Sequence, residues 1–158
     1  MTTCPVCKDN AGADEGSDPC FVARLQTGYV RLARNQYFRG TSFFASKRCV
    51  REIFDLNCGV RDLHLEEMAE VAEAVNAAFQ PRKLNVESLG NSVPHLHWWL
   101  TPRYETDIRP NGPIWEDLDF LRAQWTNTGG LPDEEFVELR GLLLSALRSR
   151  DVLIELAP

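Results

Sequence analysis

The sequence lacks the features that mark several common classes of protein. No apolar run approaches the roughly 20 residues that a membrane-spanning helix needs, so we expect no membrane segment. Lys and Arg number 17 against 23 Asp and Glu, which leaves no basic excess to neutralise the phosphates of a nucleic acid. The start, Met1-Thr2-Thr3, has no basic segment followed by an apolar one, and we therefore expect no signal peptide.

What is present is typical of one globular domain. The chain has 158 residues, of which 44% are hydrophobic and 25% charged, enough to bury a sizeable core. Its five cysteines, without a signal peptide, fit the reducing cytoplasm, where thiols bind metal or stay free more often than they pair.

Two of these cysteines form a CxxC motif, Cys4-Pro5-Val6-Cys7. Taken alone, the motif is compatible with a metal site, a redox pair or two incidental thiols. A thioredoxin-type pair should open a helix, whereas residues 8–19 are polar, rich in glycine and acidic, and predict a loop. This disfavours the redox interpretation.

The pattern of apolar residues predicts an α+β fold. Strands are predicted at 20–25, 29–33, 41–46, 84–88 and 95–101, and the first two form a hairpin. The clearest helix is 62–79, capped by Asp62 with its acidic face in solvent, and a second amphipathic helix covers 132–150. Strands on both sides of one main helix favour an antiparallel sheet of about five strands.

The most informative segment is Pro94-His95-Leu96-His97-Trp98-Trp99-Leu100-Thr101-Pro102-Arg103, which holds two of the three histidines. Side chains alternate between the faces of a strand, so we expect His95, His97 and Trp99 on one face and the intervening residues in the core. Pro94 and Pro102 should bracket the strand. A single strand histidine is more often structural than catalytic, and the third histidine, His64, lies at a helix start with no predicted role.

This segment, with its flanking residues, resembles the signature of the histidine-triad (HIT) superfamily, His-x-His-x-His, with Trp99 at the third histidine. It is similar to bacterial members described as diadenosine-polyphosphate hydrolases. The resemblance implies a HIT-like domain over 1–115, with 116–158 as a C-terminal loop and helical extension packed on it, and a homodimer. It also implies that His97 attacks the α-phosphorus of a purine nucleotide and forms a covalent nucleotidyl-histidine.

The resemblance also implies a structural zinc and a phosphate site. Several superfamily members bind zinc through residues that match Cys4, Cys7 and His95 here, and Cys49 stands where the family has another histidine; cysteine and histidine both suit tetrahedral zinc. Asn91 and Ser92, in the turn before the strand, match phosphate contacts, and Asn85 matches an asparagine near the nucleotide. Trp99 would then contact the substrate. Turn chemistry alone also explains Asn91, and a buried small residue also explains Cys49.

Three functions follow from these residues. The first is a nucleotide hydrolase or nucleotidyl transferase that acts on a dinucleoside polyphosphate or a nucleoside phosphoramidate. The second is a nucleotide-binding protein with impaired catalysis, because tryptophan has no titratable proton and cannot act as a general acid. The third is a zinc-stabilised interaction domain without a ligand. Turnover separates the first two, and nucleotide binding separates both from the third.

Overall fold

The computed structural model describes residues 4–126 and 129–158. The first three residues, on which the expectation of no signal peptide partly depends, lie outside it. Two short 3-10 helices, Ile53–Asp55 and Ile114–Glu116, accompany the main elements. These are α1 (Pro5–Asp14), β1 (Phe21–Arg24), β2 (Gly28–Leu32), β3 (Ser42–Ser46), α2 (Cys58–Phe79), β4 (Lys83–Glu87), β5 (His97–Arg103), α3 (Leu118–Thr126) and α4 (Asp133–Arg148). Of the helices described, none is long and apolar enough to cross a bilayer.

The five strands form one antiparallel sheet in the order β1-β2-β3-β5-β4. The predicted α+β fold, with its main helix after the third strand and a C-terminal helix, is confirmed. The chain crosses from β3 through α2 to the edge strand β4, and β5 then inserts between β3 and β4. This crossover places the histidine segment at the centre of the sheet, where both neighbours fix its position.

The core lies between one face of the sheet and the helices α2 and α4. Val71 and Val75 of α2 and Leu139, Leu143 and Leu147 of α4 are fully buried in the same apolar cluster as Val30, Phe44 and Leu100 of the sheet. The stripe predicted for the C-terminal helix therefore packs as expected. The outer face of the sheet, which carries His97 and Trp99, is left available for a site.

The prediction of a loop after the CxxC motif is wrong, because residues 5–14 form α1. Proline is favoured in the first turn of a helix, and Pro5 lies there. The polar residues of this helix also find buried partners: Asn10 donates to the carbonyl of Ser46 at 3.2 Å and accepts from Arg31 at 2.9 Å. Tertiary hydrogen bonds of this kind leave no periodic pattern in the sequence.

The main helix begins four residues earlier than predicted. Asp62 was expected to cap the helix, but α2 starts at Cys58 and Asn57 is its N-cap. The Asn57 side chain accepts from the backbone N–H of Val60 at 3.1 Å, which satisfies one of the free donors of the first turn. The helix ends at Phe79, and its C-cap residue, Gln80, adopts the left-handed conformation ahead of Pro81.

The strand that carries the histidines is shifted by two residues from the prediction. It runs from His97 to Arg103, so His95 lies outside it, in the preceding loop, and does not share a strand face with His97 and Trp99. Pro102 lies inside the strand rather than after it, paired with Leu84 of β4. Pairing with β3 ends at Leu100, so on that side of β5 no strand neighbour requires the missing N–H of Pro102.

Candidate functional site

Four potential metal ligands from three parts of the chain meet beside the sheet. Cys4 and Cys7 flank the start of α1, Cys49 follows β3, and His95 precedes β5. Their ligand atoms all lie within 4.8 Å of one another. The structure thus brings together the four residues that the resemblance to the HIT signature implied as zinc ligands.

The hydrogen bonds of His95 prepare one ring nitrogen for a metal. Its ring is fully buried, and Nε2 lies 2.8 Å from the backbone carbonyl of Ser46. A carbonyl can only accept, so Nε2 carries the proton and Nδ1 has the free lone pair. Nδ1 of His95 lies 3.3 Å from Sγ of Cys4 and 3.6 Å from Sγ of Cys7.

These distances fit a tetrahedral zinc ion. With Zn–S near 2.3 Å and Zn–N near 2.05 Å, the edge between sulfur and nitrogen of a regular tetrahedron is about 3.6 Å. Burial, together with the nearby Cys49 and Cys4 thiols, raises the pKa of Cys7 to about 12. The pKa of Cys4 is lowered, because hydrogen bonds from Cys7 and its neighbours outweigh burial. Thiolates held this close repel each other unless a cation lies between them.

His97 is the first residue of β5 and is half-buried. Its Nδ1 lies 2.6 Å from the backbone carbonyl of His95, and because that oxygen can only accept, Nδ1 donates the proton. Nε2 therefore carries the lone pair, which is the tautomer that a nucleophilic imidazole requires. The metal-ligand candidate His95 thus also fixes the ring of His97 through its backbone.

A cavity of about 320 Å³ lies in front of His97. One wall is the turn Gly90-Asn91-Ser92, and the His97 and Trp99 side chains line another part. Gly90 has φ of 63°, in the left-handed region, which turns the chain sharply at this point. Backbone N–H groups of such a turn, with the Asn91 amide and the Ser92 hydroxyl, are suited to bind an anion.

Comparison with known families bears directly on this region. Residues 44–106 match the HIT domain. The match contains most of β3 and all of α2, β4 and β5, and therefore His95, His97 and the turn before them. It leaves out α1 with its CxxC motif and the C-terminal segment that holds α3 and α4.

Solved HIT proteins share the fold of this chain. A histidine triad protein from Marinobacter aquaeolei is 23% identical and has a TM-score of 0.67 over 82% of this chain and 88% of its own. One from Bradyrhizobium japonicum is 20% identical, with a TM-score of 0.67 over 80% and 89%. A zinc-bound histidine triad family protein from Mycobacterium smegmatis is 18% identical, with a TM-score of 0.63 over 93% and 94%. No curated protein matches the chain.

Within the segment that matches the HIT domain, Trp99 stands where the resemblance leads one to expect a third histidine. Its ring meets that of His97 edge-on, with centroids 6.2 Å apart, and lies 5.3 Å from the ring of Phe43. It is half-buried and lines the same cavity as His97. Trp99 can donate a hydrogen bond but cannot transfer a proton.

A second cavity, of about 240 Å³, adjoins the first. Leu89 and Trp99 line both cavities and form the wall between them. The other residues around the second cavity come from the sheet and from the C-terminal segment beyond the HIT domain match, namely Thr41, Glu87, Thr101, Ile114, Phe120 and Gln124. The C-terminal segment therefore contributes directly to the region around Trp99.

Asn85 is the one predicted binding residue that the structure places apart from these cavities. It lies on β4 opposite Thr101, and its side-chain oxygen lies 3.4 Å from Nη1 of Arg103. It is not among the described residues that line either cavity. Arg103 is buried, forms an ion pair with Asp107 at 2.8 Å and donates to the carbonyls of Gly112 and Arg109.

A buried network behind β5 has no counterpart among the sequence predictions. His64 is fully buried rather than unpartnered: it accepts from the indole N–H of Trp98 at 3.2 Å, and its Nδ1 lies 2.8 Å from the hydroxyl of Thr27. That hydroxyl donates to the carboxylate of Glu67, which also accepts from the backbone N–H groups of Gln26 and Thr27. Burial lowers the pKa of His64 to about 4.

The expectation that the acidic face of the main helix is wholly solvated is therefore wrong for Glu67, which is 2% exposed. The spacing of His64, Glu67, Val71 and Ala74 was the signal that could have revealed this, because it follows one helical stripe. The network ties Trp98, between His97 and Trp99, to α2 and to the β1–β2 turn.

Proposed function

We propose that this protein is a nucleotide hydrolase or nucleotidyl transferase that acts on the α-phosphate of a dinucleoside polyphosphate or a nucleoside phosphoramidate. The observation that carries the proposal is His97, whose Nδ1–H is held by the His95 carbonyl while the ring lines a cavity beside a glycine turn. The match of residues 44–106 to the HIT domain supports it, as does the fold shared with solved histidine triad proteins, one of which is described as nucleotide-binding.

The reaction that we propose has two steps. Nε2 of His97 attacks the α-phosphorus, an N–P bond forms, and the P–O or P–N bond to the leaving group breaks. Water then cleaves the N–P bond, which releases the nucleoside monophosphate and restores the imidazole. The turn Gly90-Asn91-Ser92 binds the phosphate oxygens and stabilises the added charge. The leaving group takes its proton from solvent, because Trp99 has none to give.

We propose a structural role for zinc held by Cys4, Cys7, Cys49 and His95. A bound zinc ion supplies a rigid crosslink between α1, the end of β3 and the loop before β5. The His95 backbone carbonyl, which orients His97, then has a fixed position. The purified protein should contain about one zinc per chain. Cys49→Ser should lower that content, whereas the same change at the exposed Cys58, outside the cluster, should leave it unchanged.

A second function is favoured by Trp99. A nucleotide-binding protein with impaired catalysis would keep the turn and His97 but lack the proton donor that speeds departure of the leaving group. Binding of AMP together with no release of nucleoside monophosphate from adenosine phosphoramidate or diadenosine tetraphosphate would support this function over the first.

We also propose that the chain forms a homodimer. The strand β4 lies at one edge of the sheet and exposes Val86, 41% accessible, next to unpaired backbone groups. Light scattering coupled to size exclusion should give a mass near twice 17.9 kDa. A mass equal to that of one chain would contradict this assignment.

A further inference from the structure

The second cavity contains an acidic side chain that the reaction at His97 does not use. Glu87 lies on β4 directly opposite Trp99 of β5, and its side chain lines the cavity of about 240 Å³. Within the described residues, its carboxyl forms neither a hydrogen bond nor an ion pair. Its acceptor oxygens are therefore available to a ligand that enters the cavity.

Arg103 does not act as a bonded partner of Glu87. Arg103 acts on Glu87 from a distance, and its own donors are directed to Asp107, Asn85 and two backbone carbonyls. Burial raises the pKa of Glu87 while Arg103 opposes the rise. In its ionised form the carboxyl offers two oxygens that can only accept hydrogen bonds. A ligand in this cavity would therefore gain from N–H donors that face Glu87.

The rest of the cavity is suited to a flat ring. Trp99 and Phe120 supply aromatic surface, and Leu89 and Ile114 supply aliphatic surface. The volume is below the range of about 300–1,000 Å³ that is usual for whole small-molecule ligands, so it suits one ring system rather than a complete nucleotide. Aromatic walls favour a planar group, because stacking on them contributes to binding of bases.

The position of the cavity relates it to the reacting phosphorus. Trp99 follows His97 by two residues, about 7 Å along the strand, and its ring separates the two cavities. A ring attached through a sugar to a phosphorus at His97 would lie over Trp99 and enter the second cavity. A nucleobase meets all of these requirements.

We infer that the second cavity is a nucleobase pocket in which the Glu87 carboxylate selects guanine. This inference rests on the proposed function, since it takes the phosphate to be bound beside His97. Guanine presents two neighbouring donors, N1–H and the 2-amino group, which match the two oxygens of a carboxylate. Adenine presents a donor beside the N1 lone pair, and that lone pair would face the anion. The C-terminal segment thus contributes Phe120 and Ile114 to recognition of the base.

The inference is tested by calorimetric titration of the whole protein with GMP, IMP and AMP. GMP should bind at least about tenfold more tightly than AMP, since one bidentate pair separates them, and IMP, which lacks the 2-amino group, should lie between. In Glu87→Gln the side-chain amide offers one acceptor and one donor, so the variant should bind GMP more weakly and prefer AMP. Glu66→Gln changes an exposed glutamate on α2 and should behave as the parent protein.

The outcomes separate this inference from the function on which it rests. Equal binding of GMP and AMP, unchanged in Glu87→Gln, would overturn guanine selection and leave nucleotide binding intact. Binding of none of the three by the folded parent protein would overturn the proposed function and the inference together. Circular dichroism and thermal melting of both variants verify that they fold.

Discussion

The stability of this protein should fall steeply between pH 7 and pH 5 because of His64. The imidazole is fully buried, and burial lowers its pKa to about 4, from about 6.5 in an unfolded chain. As the pH falls below 6.5, the unfolded chain takes up a proton that the folded protein does not bind until about pH 4. The unfolded state is therefore favoured throughout this window, and above pH 7 the residue has no such effect.

The size of the effect follows from the two pKa values. Each pH unit in the window lowers the free energy of unfolding by about 1.4 kcal/mol, so the fall from pH 6.5 to pH 5 amounts to about 2 kcal/mol. For a domain whose stability is about 5–15 kcal/mol, this is a large fraction. Urea denaturation at pH 7, 6 and 5, followed by circular dichroism, measures it.

His64→Gln gives the comparison that isolates this residue. The variant should be less stable at pH 7, because the partners Trp98 and Thr27 lose good hydrogen bonds, but its stability should fall less steeply with acid. Carboxylates and the cysteine cluster titrate in both proteins, so they cancel in the difference. Equal slopes for the two proteins would refute the claim that His64 is buried in its neutral form.

Three further measurements test the fold. Leu143→Ala should lower the free energy of unfolding by about 2–5 kcal/mol, because the side chain is fully buried. Leu142 is 42% exposed, and Leu142→Ala should lower it by only about 0.5 kcal/mol. Equal losses would contradict the packing of α4. Asn57→Ala should lower the free energy of unfolding by about 1 kcal/mol through loss of the N-cap, and Asp62→Ala should lower it by less than about half of that. The reverse order would place the helix start at Asp62. Removal of metal by a chelator should lower the melting temperature, and an unchanged value would argue against structural zinc.

Much of the fold could be predicted because its signals are local. Alternation located the strands, and helical periodicity located α4, including the stripe of Leu139, Leu143 and Leu147. The segment 5–14 could not be predicted as a helix from its polar composition. Its hydrogen bonds to Ser46 and Arg31 join residues far apart in the sequence, and such partners become visible only in three dimensions.

For the candidate site, the motif located the residues but not their relations. His97 and the cluster of Cys4, Cys7, Cys49 and His95 were named from the sequence, and the structure brings the four ligands together. The shared role of His95, whose carbonyl holds His97, depends on a strand that starts two residues later than predicted. Glu87 went unnoticed because nothing in β4 shows which strand lies opposite it.

The central claim is that His97 is a nucleophile despite the tryptophan beside it. The most direct measurement is turnover of an adenosine or guanosine phosphoramidate and a dinucleoside polyphosphate by the parent protein and by His97→Ala. We expect the parent to release nucleoside monophosphate and the variant to release none, while both bind the nucleotide. Equal release by the two proteins, or none by a parent that binds nucleotide, would contradict the claim.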